Sequence, residues 1–199
     1  IGRTGGFFRR IKNSSRVPVA SITTHEIMPG IITRVETGSD FRMTHAPFMR
    51  SLFLSTDIDT VKNEDTLKIR LAGIDGMDKD CTESVLAPGS NVRVMLVSRS
   101  SSDPEAIHGI VWPRYNPFAS SFNLRLIREG FATPAKLDNR VMQVHFPHLI
   151  KQFKRQESIS KLLRRGKWDE TKPGIGWTVI KGVGNLVRNC WTLFRSLGK

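Results

Sequence analysis

The residues best suited to chemistry fall in one run, Ile69-Arg70-Leu71-Ala72-Gly73-Ile74-Asp75-Gly76-Met77-Asp78. Alternation puts Leu67, Ile69 and Leu71 on one face of a strand and Arg70 on the other. The strand ends in Gly-Ile-Asp, with a second carboxylate three residues on. One guanidinium and two carboxylates at a strand end make a candidate phosphate-and-cation site. Phosphodiester hydrolysis needs carboxylates to hold a metal, cationic groups to neutralise developing phosphate charge, and a carboxylate to position water. Outside this run the candidates are sparse. His145 and His148 lie three apart, but Pro147 between them disfavours the shared helical face that a metal bridge would need. Cys81 and Cys190 form no metal or disulfide framework, and Cys81 reads as an ordinary helix-face residue.

Such a site needs a scaffold, and the pattern supplies one. Residues 1–27 read as a basic extended arm containing Gly5-Gly6 and Pro18. Residues 30–46 alternate as a strand pair around a turn at Thr37-Gly38-Ser39. A polar stretch with Asp57, Asp59, Asn63 and Glu64 predicts a long loop before the strand over 66–74. A short helix over 78–86 is stopped by Pro88-Gly89. Strands follow over 91–97 and 107–112, then a helix over 121–132 that places Phe122, Leu126 and Ile127 on one face. Another helix over 148–165 precedes Gly166-Lys167-Trp168. Trp112-Pro113-Arg114-Tyr115-Asn116-Pro117-Phe118 reads as a contact surface or a wide turn. The class is α+β: five strands in order with about three helices match a Greek-key barrel of the OB type.

Three segments, in the right order over residues 28–169, resemble the staphylococcal-nuclease (thermonuclease-like) family. The run at 70–78 resembles its "R-L-x-G-I-D-x-x-E" strand, Ser121–Ala132 its "V-N-x-x-L-V-x-x-G-L-A" helix, and Gly166–Trp168 its closing "G-x-W". The resemblance implies that Arg70 would grip a scissile phosphate, Asp75 would bind calcium, and Asp78 would stand where a glutamate orients water. It also marks departures. Asp78 is one methylene short, and errors near 1 Å in such geometry cost on the order of a hundredfold. The family's other calcium aspartate falls at Ser39, with Asp40 one residue late and so expected on the opposite face. The second arginine falls at His108, and a neutral imidazole lacks the bidentate, permanently charged grip of arginine. Catalytic groups act as a unit. The expectation is therefore a pseudo-nuclease with no catalytic, metal or cofactor site in use. Arg70 and Asp75 are expected to form a structural ion pair closing the barrel end, and His108 to be a half-buried strand residue.

Composition bounds the partners. The apolar fraction of 39% is enough for one core and excludes a wholly disordered chain. Two cysteines favour a reducing or matrix-like compartment over a secreted one. The net charge of +13 is unevenly spread. Residues 1–20 carry five basic side chains and no acid, 21–139 carry 13 basic and 15 acidic, and 140–199 carry 13 basic and 3 acidic. The barrel segment is nearly neutral, so aromatic stacking in a basic groove, the usual OB mode on nucleic acid, is not favoured. The ends are basic, which suits rRNA, acidic protein surfaces or anionic lipid.

The last 30 residues, 170–199, read as a basic amphipathic helix. Val179, Val183, Leu186, Val187, Cys190, Phe194 and Leu197 share one face and Lys181, Arg188 and Arg195 another. Trp177 and Trp191 suit a headgroup region, so Trp177, Lys181, Arg188, Trp191, Phe194 and Arg195 are the expected membrane or partner contacts. Packing of this helix back on its own domain is an equal alternative. No run approaches the ~20 apolar residues that span a bilayer. A start at Ile1 and Phe7-Phe8 beside Arg9-Arg10 predict an upstream leader or membrane segment. The Ser14-x-x-Val17-Pro18 start, Leu71–Ile74 and the Arg128–Ala132 helix end are similar to eukaryotic mitochondrial inner-membrane proteins with a nuclease-like barrel. This resemblance implies a non-catalytic accessory subunit of a mitochondrial inner-membrane assembly, such as a respiratory complex, that binds protein subunits. The alternatives are an RNA-binding or mitochondrial ribosomal subunit and an active calcium-dependent nuclease.

Overall fold

Period-2 burial builds the sheet. In β1 (Ile27–Val35), Met28, Gly30, Ile32 and Val35 are buried while their neighbours reach the surface. In β3 (Leu67–Leu71), Leu67, Ile69 and Leu71 are fully buried, and Lys68 and Arg70 face outward. Each such aliphatic side chain contributes about 1.5–3 kcal/mol when removed from water. This computed structural model describes residues 11–47, 65–116, 118–135 and 140–169. The remaining strands are β2 (Asp40–His45), β4 (Ile74–Asp75), β5 (Asn91–Arg99), β6 (Ala106–Pro113) and β7 (Thr133–Pro134). The helices are α1 (Val19–Thr23), α2 (Lys79–Val85), α3 (Phe122–Arg128), α4 (Arg140–His145) and α5 (Pro147–Leu162).

The chain is α+β with a mixed five-stranded sheet. The order β1-β2-β3-β6-β5 closes into a barrel-like ring, because β5 pairs back on β1. All pairs are antiparallel except β3 with β6, whose parallel register sets Arg70 opposite His108. β4 and β7 form a separate two-residue ribbon. The strand expected over 66–74 is therefore two strands. Gly73 breaks it with φ +72, a left-handed turn that side chains with a Cβ rarely adopt. There are five helices among the described residues rather than about three, since α1 and α4 were not foreseen. None is long and apolar enough to cross a membrane.

The described part of the N-terminal arm, residues 11–26 ahead of β1, is not extended. Ser14–Arg16 form a 3-10 turn and α1 follows, burying Ser14, Val17 and Ile22. The Ser14-x-x-Val17-Pro18 motif is a clasp on the ring. Ser14 Oγ accepts from the Lys68 amide at 2.8 Å, and Arg99 donates to the carbonyls of Ser14 (3.2 Å) and Val17 (2.9 Å).

Two buried features fix β6. A Cβ on Gly109 would lie 2.6 Å from Val94 Cγ1 and 3.1 Å from Ile69 Cγ2. Gly109→Ala is expected to destabilise by about 2 kcal/mol through overpacking. Urea unfolding checks this, and a midpoint equal to wild type would refute the tight contact. Asn123 on α3 is fully buried. Its Oδ1 accepts from the Val111 amide at 3.0 Å, and its Nδ2 donates to the carbonyls of Ala72 (2.9 Å) and Gly109 (3.3 Å). One side chain thus joins the end of β3, the middle of β6 and the helix above them.

Candidate functional site

The turn after β1 places the first of the site residues. Thr82 on α2 donates its hydroxyl to the Gly38 carbonyl, and a Cβ on Gly38 would lie 2.0 Å from the Met77 carbonyl oxygen. The turn is therefore pressed onto the segment that follows β4. Asp40 opens β2 at its exit, its amide donating to Thr37 Oγ1 at 3.1 Å. Ser39 precedes the strand, so the alternation rule does not extend from it to Asp40. Asp40 lands directly opposite Arg70 on β3, while the next residue, Phe41, fills the ring interior. Asp40, Arg70 and His108 form one row across three neighbouring strands.

Within that row four of the five N–H donors of the guanidinium are engaged. Arg70 donates from Nε to Asp40 Oδ1 at 2.7 Å and from Nη2 to Oδ2 at 2.8 Å, a bidentate pair. Its Nη1 donates to Ser100 Oγ at 3.3 Å and Ser102 Oγ at 3.2 Å. The expected pairing of Arg70 with Asp75 is thus replaced by Arg70 with Asp40, because the cross-strand neighbour is nearer the fork than a residue beyond the Gly73 turn. Burial pushes the Asp40 carboxyl up, but the Arg70 hydrogen bond and charge outweigh it and hold the pKa below the usual carboxylate value. The guanidinium pKa is raised in turn by Asp40. His108 is half-buried, and burial followed by the Arg70 charge lowers its pKa, keeping the ring neutral near pH 7.

The other charges on this outer face are also matched. Glu36 Oε1 accepts from Arg42 Nε at 2.6 Å and Arg34 Nη2 at 2.7 Å. Lys68 Nζ lies 2.7 Å from Asp103 and 3.7 Å from Glu36. Burial raises the Glu36 pKa, but the two arginines leave it lowered, and the Lys68 hydrogen bond lowers that of Asp103. Four basic groups facing three acids leave little field to attract a phosphate.

Asp75 and Asp78 lie apart from the row. Asp75 is exposed on β4, its Oδ1 accepting from the Gly76 amide at 2.8 Å. Asp78 is exposed at the N-cap of α2 and makes no side-chain cap bond. Among the described residues, no three of His, Cys, Asp and Glu gather closely enough to hold a metal ion. His145 ends α4 and His148 lies on α5, whose first turn begins at Pro147. His145 instead packs edge-on against His25, with ring centroids 5.0 Å apart. His25 has φ +52 and donates from Nδ1 to the Leu96 carbonyl at 3.1 Å. Cys81 is buried, and burial followed by the Asp78 charge pushes its thiol up to about 11, so it is not a nucleophile at neutral pH.

No protein-family model and no curated protein matches the chain. Function has to be argued from the surfaces themselves.

Two surfaces were missed in the sequence. A groove of about 380 Å³ runs between β6, α3 and α5, lined by Trp112, Ser121, Leu124, Gln152, Arg155 and Gln156 among others. Beside it, Tyr115 and Phe118 are exposed at 74% and 96%, the outward side of the aromatic loop. The second surface is the outer face of α5. Its signal, lysines and arginines at helical spacing opposite Phe153, was present in the chain but was absorbed into a bulk charge count. The expected contacts Trp177, Lys181, Arg188, Trp191, Phe194 and Arg195 lie outside the described residues.

Proposed function

We propose that this chain is a degenerate nuclease-like domain of the OB-barrel type, acting without catalysis as an accessory subunit of a mitochondrial inner-membrane assembly. The observation that carries this reading is the occupied guanidinium of Arg70, four of whose five N–H donors are already bonded within the chain. A phosphate-gripping arginine must present free donors to substrate. Here both terminal edges of the fork are taken by Asp40, Ser100 and Ser102, and the group opposite across β6 is a neutral imidazole. The closed five-strand ring and the resemblance at residues 70–78, 121–132 and 166–168 support the barrel ancestry. The motifs at Ser14–Pro18 and Arg128–Ala132 support the mitochondrial placement, and the basic, helix-borne outer surface supports docking rather than turnover.

The test is direct. Purified protein incubated with single-stranded DNA or RNA and calcium is expected to release no more nucleotide than an Arg70→Ala control. Robust cleavage that depends on Arg70 would overturn the pseudo-enzyme reading. Affinity purification from mild-detergent mitochondrial extracts is expected to return inner-membrane subunits. Recovery of rRNA and ribosomal proteins in their place would favour the RNA-binding alternative.

A further inference from the structure

We infer that α5 is a membrane-docking helix that lays its outer face on anionic lipid headgroups. The inference rests on the accessory-subunit reading only for the identity of the membrane. The helix is anchored from below: Phe153 and Ser160 are buried, and Phe153 packs against Gly73 at the end of β3. At 100° per residue, Lys151, Lys154, Arg155, Ser158, Lys161 and Leu162 fall within an arc of about 120° on the side away from that buried pair. Every one of them is exposed. Residues 147–169 carry seven basic and two acidic side chains. Of the acids, Glu157 falls about 40° outside the arc, toward the buried face, and pairs with Lys161 at 2.9 Å. Lys151, Lys154 and Arg155 make no ion pair among the described residues.

The stripe also has an apolar end, and this selects lipid over nucleic acid. Leu162 and Leu163 are exposed at 81% and 52%, flanked in sequence by the exposed Lys161, Arg164 and Lys167. A phosphate backbone has no use for two aliphatic side chains at the centre of a basic field, since single strands are gripped by aromatic stacking and cations. A bilayer surface matches both parts, with headgroups meeting the cations and the upper acyl region receiving the leucines. Trp168 completes the edge, with Lys161 Nζ 4.6 Å and Lys167 Nζ 5.1 Å from its ring centroid.

Flotation of the full chain with vesicles decides the matter. Vesicles of phosphatidylcholine with about 30 mol% phosphatidylglycerol should carry the protein, and pure phosphatidylcholine should not, with binding weakening as salt shortens the screening length. Reversing charge at Lys151→Glu, Lys154→Glu and Arg155→Glu should cut anionic-vesicle binding at least tenfold, with the circular-dichroism spectrum unchanged. Leu162→Ser with Leu163→Ser should weaken binding while leaving its salt dependence in place. Undiminished binding by the charge-reversed chain would overturn the proposal. So would its loss only on Lys181→Gln, Arg188→Gln and Arg195→Gln, or an oligouridine RNA that displaces vesicles from α5 at equal charge. None of these outcomes bears on whether the row at Arg70 cuts nucleic acid, so the two readings fail separately.

Discussion

Asn123→Leu is expected to lower the unfolding free energy by about 3 kcal/mol, the largest single-residue effect in the ring. The leucine keeps the branching and the number of heavy atoms, with somewhat more bulk, but removes three hydrogen bonds at a fully buried position. The Gly109 carbonyl keeps a donor, the Ala72 amide at 2.8 Å. The Val111 amide and the Ala72 carbonyl lose the partner the side chain gave them, and each buried group left unmet costs about 1–3 kcal/mol. Against a total stability of about 5–15 kcal/mol this is a large fraction. It corresponds to a drop of roughly 10 °C in Tm for a chain of this size. Asn123→Asp should do still worse at pH 7, because a carboxylate would face two carbonyl oxygens, and should recover in part as the pH falls and the acid protonates. A loss below about 1 kcal/mol for the leucine variant, measured by urea unfolding, would show that the clamp is not what joins α3 to the sheet.

The second large effect is at Asp40. Asp40→Ala leaves the Arg70 guanidinium facing an apolar methyl, and breaking a buried pair from one side typically costs about 3–5 kcal/mol. The Asp40 side chain is 5% exposed but that of Arg70 is 26%, so solvent screens part of the loss and about 2 kcal/mol is expected here. Asp40→Ala with Arg70→Met should recover most of it, since removing both charges leaves nothing unpaired. Failure of the double variant to recover would mean that Arg70 is held chiefly by Ser100 and Ser102.

The same pair sets an acid limit. Asp40, Glu36 and Asp103 have lowered pKa values in the folded chain, so their contribution is complete above the ordinary carboxylate pKa near 4 and is lost as pH falls through the folded values. His108 acts earlier. Its lowered pKa means that the unfolded chain binds more protons just below pH 6.5, so stability begins to decline there. Lys68 has a raised pKa, and its contribution is lost only as pH rises through that value, above 10.5. The stability profile should be flat from about pH 7 to 9, and Asp40→Ala with Arg70→Met should flatten its acid limb.

Local pattern revealed what is local. The hairpin of β1 and β2, the strands β5 and β6, and helices α2, α3 and α5 all carry their period in consecutive residues, and their positions match to within a few residues. What is not local stayed hidden. The parallel pairing of β3 with β6 depends on how the intervening β5 crosses the ring, and no residue in either strand encodes its partner. The Arg70 partner was misassigned for the same reason. Asp40 is brought to it by the Thr37–Ser39 turn, whose geometry depends on Met77 and Thr82, about 40 residues away. Val19–Thr23 holds three β-branched residues of weak helix propensity and no polar cap, so its helix follows from burial of Ile22 rather than from sequence preference.

Closure of the ring has a consequence for recognition. The five strands pair in one closed order, so among the described residues every strand of the ring has a neighbour on each side. Adding a strand to the ring would mean displacing an existing one, which disfavours capture of an extended peptide there by strand addition. Recognition at the ring therefore falls to its outward side chains, and its selectivity is open to change one surface residue at a time without disturbing the fold.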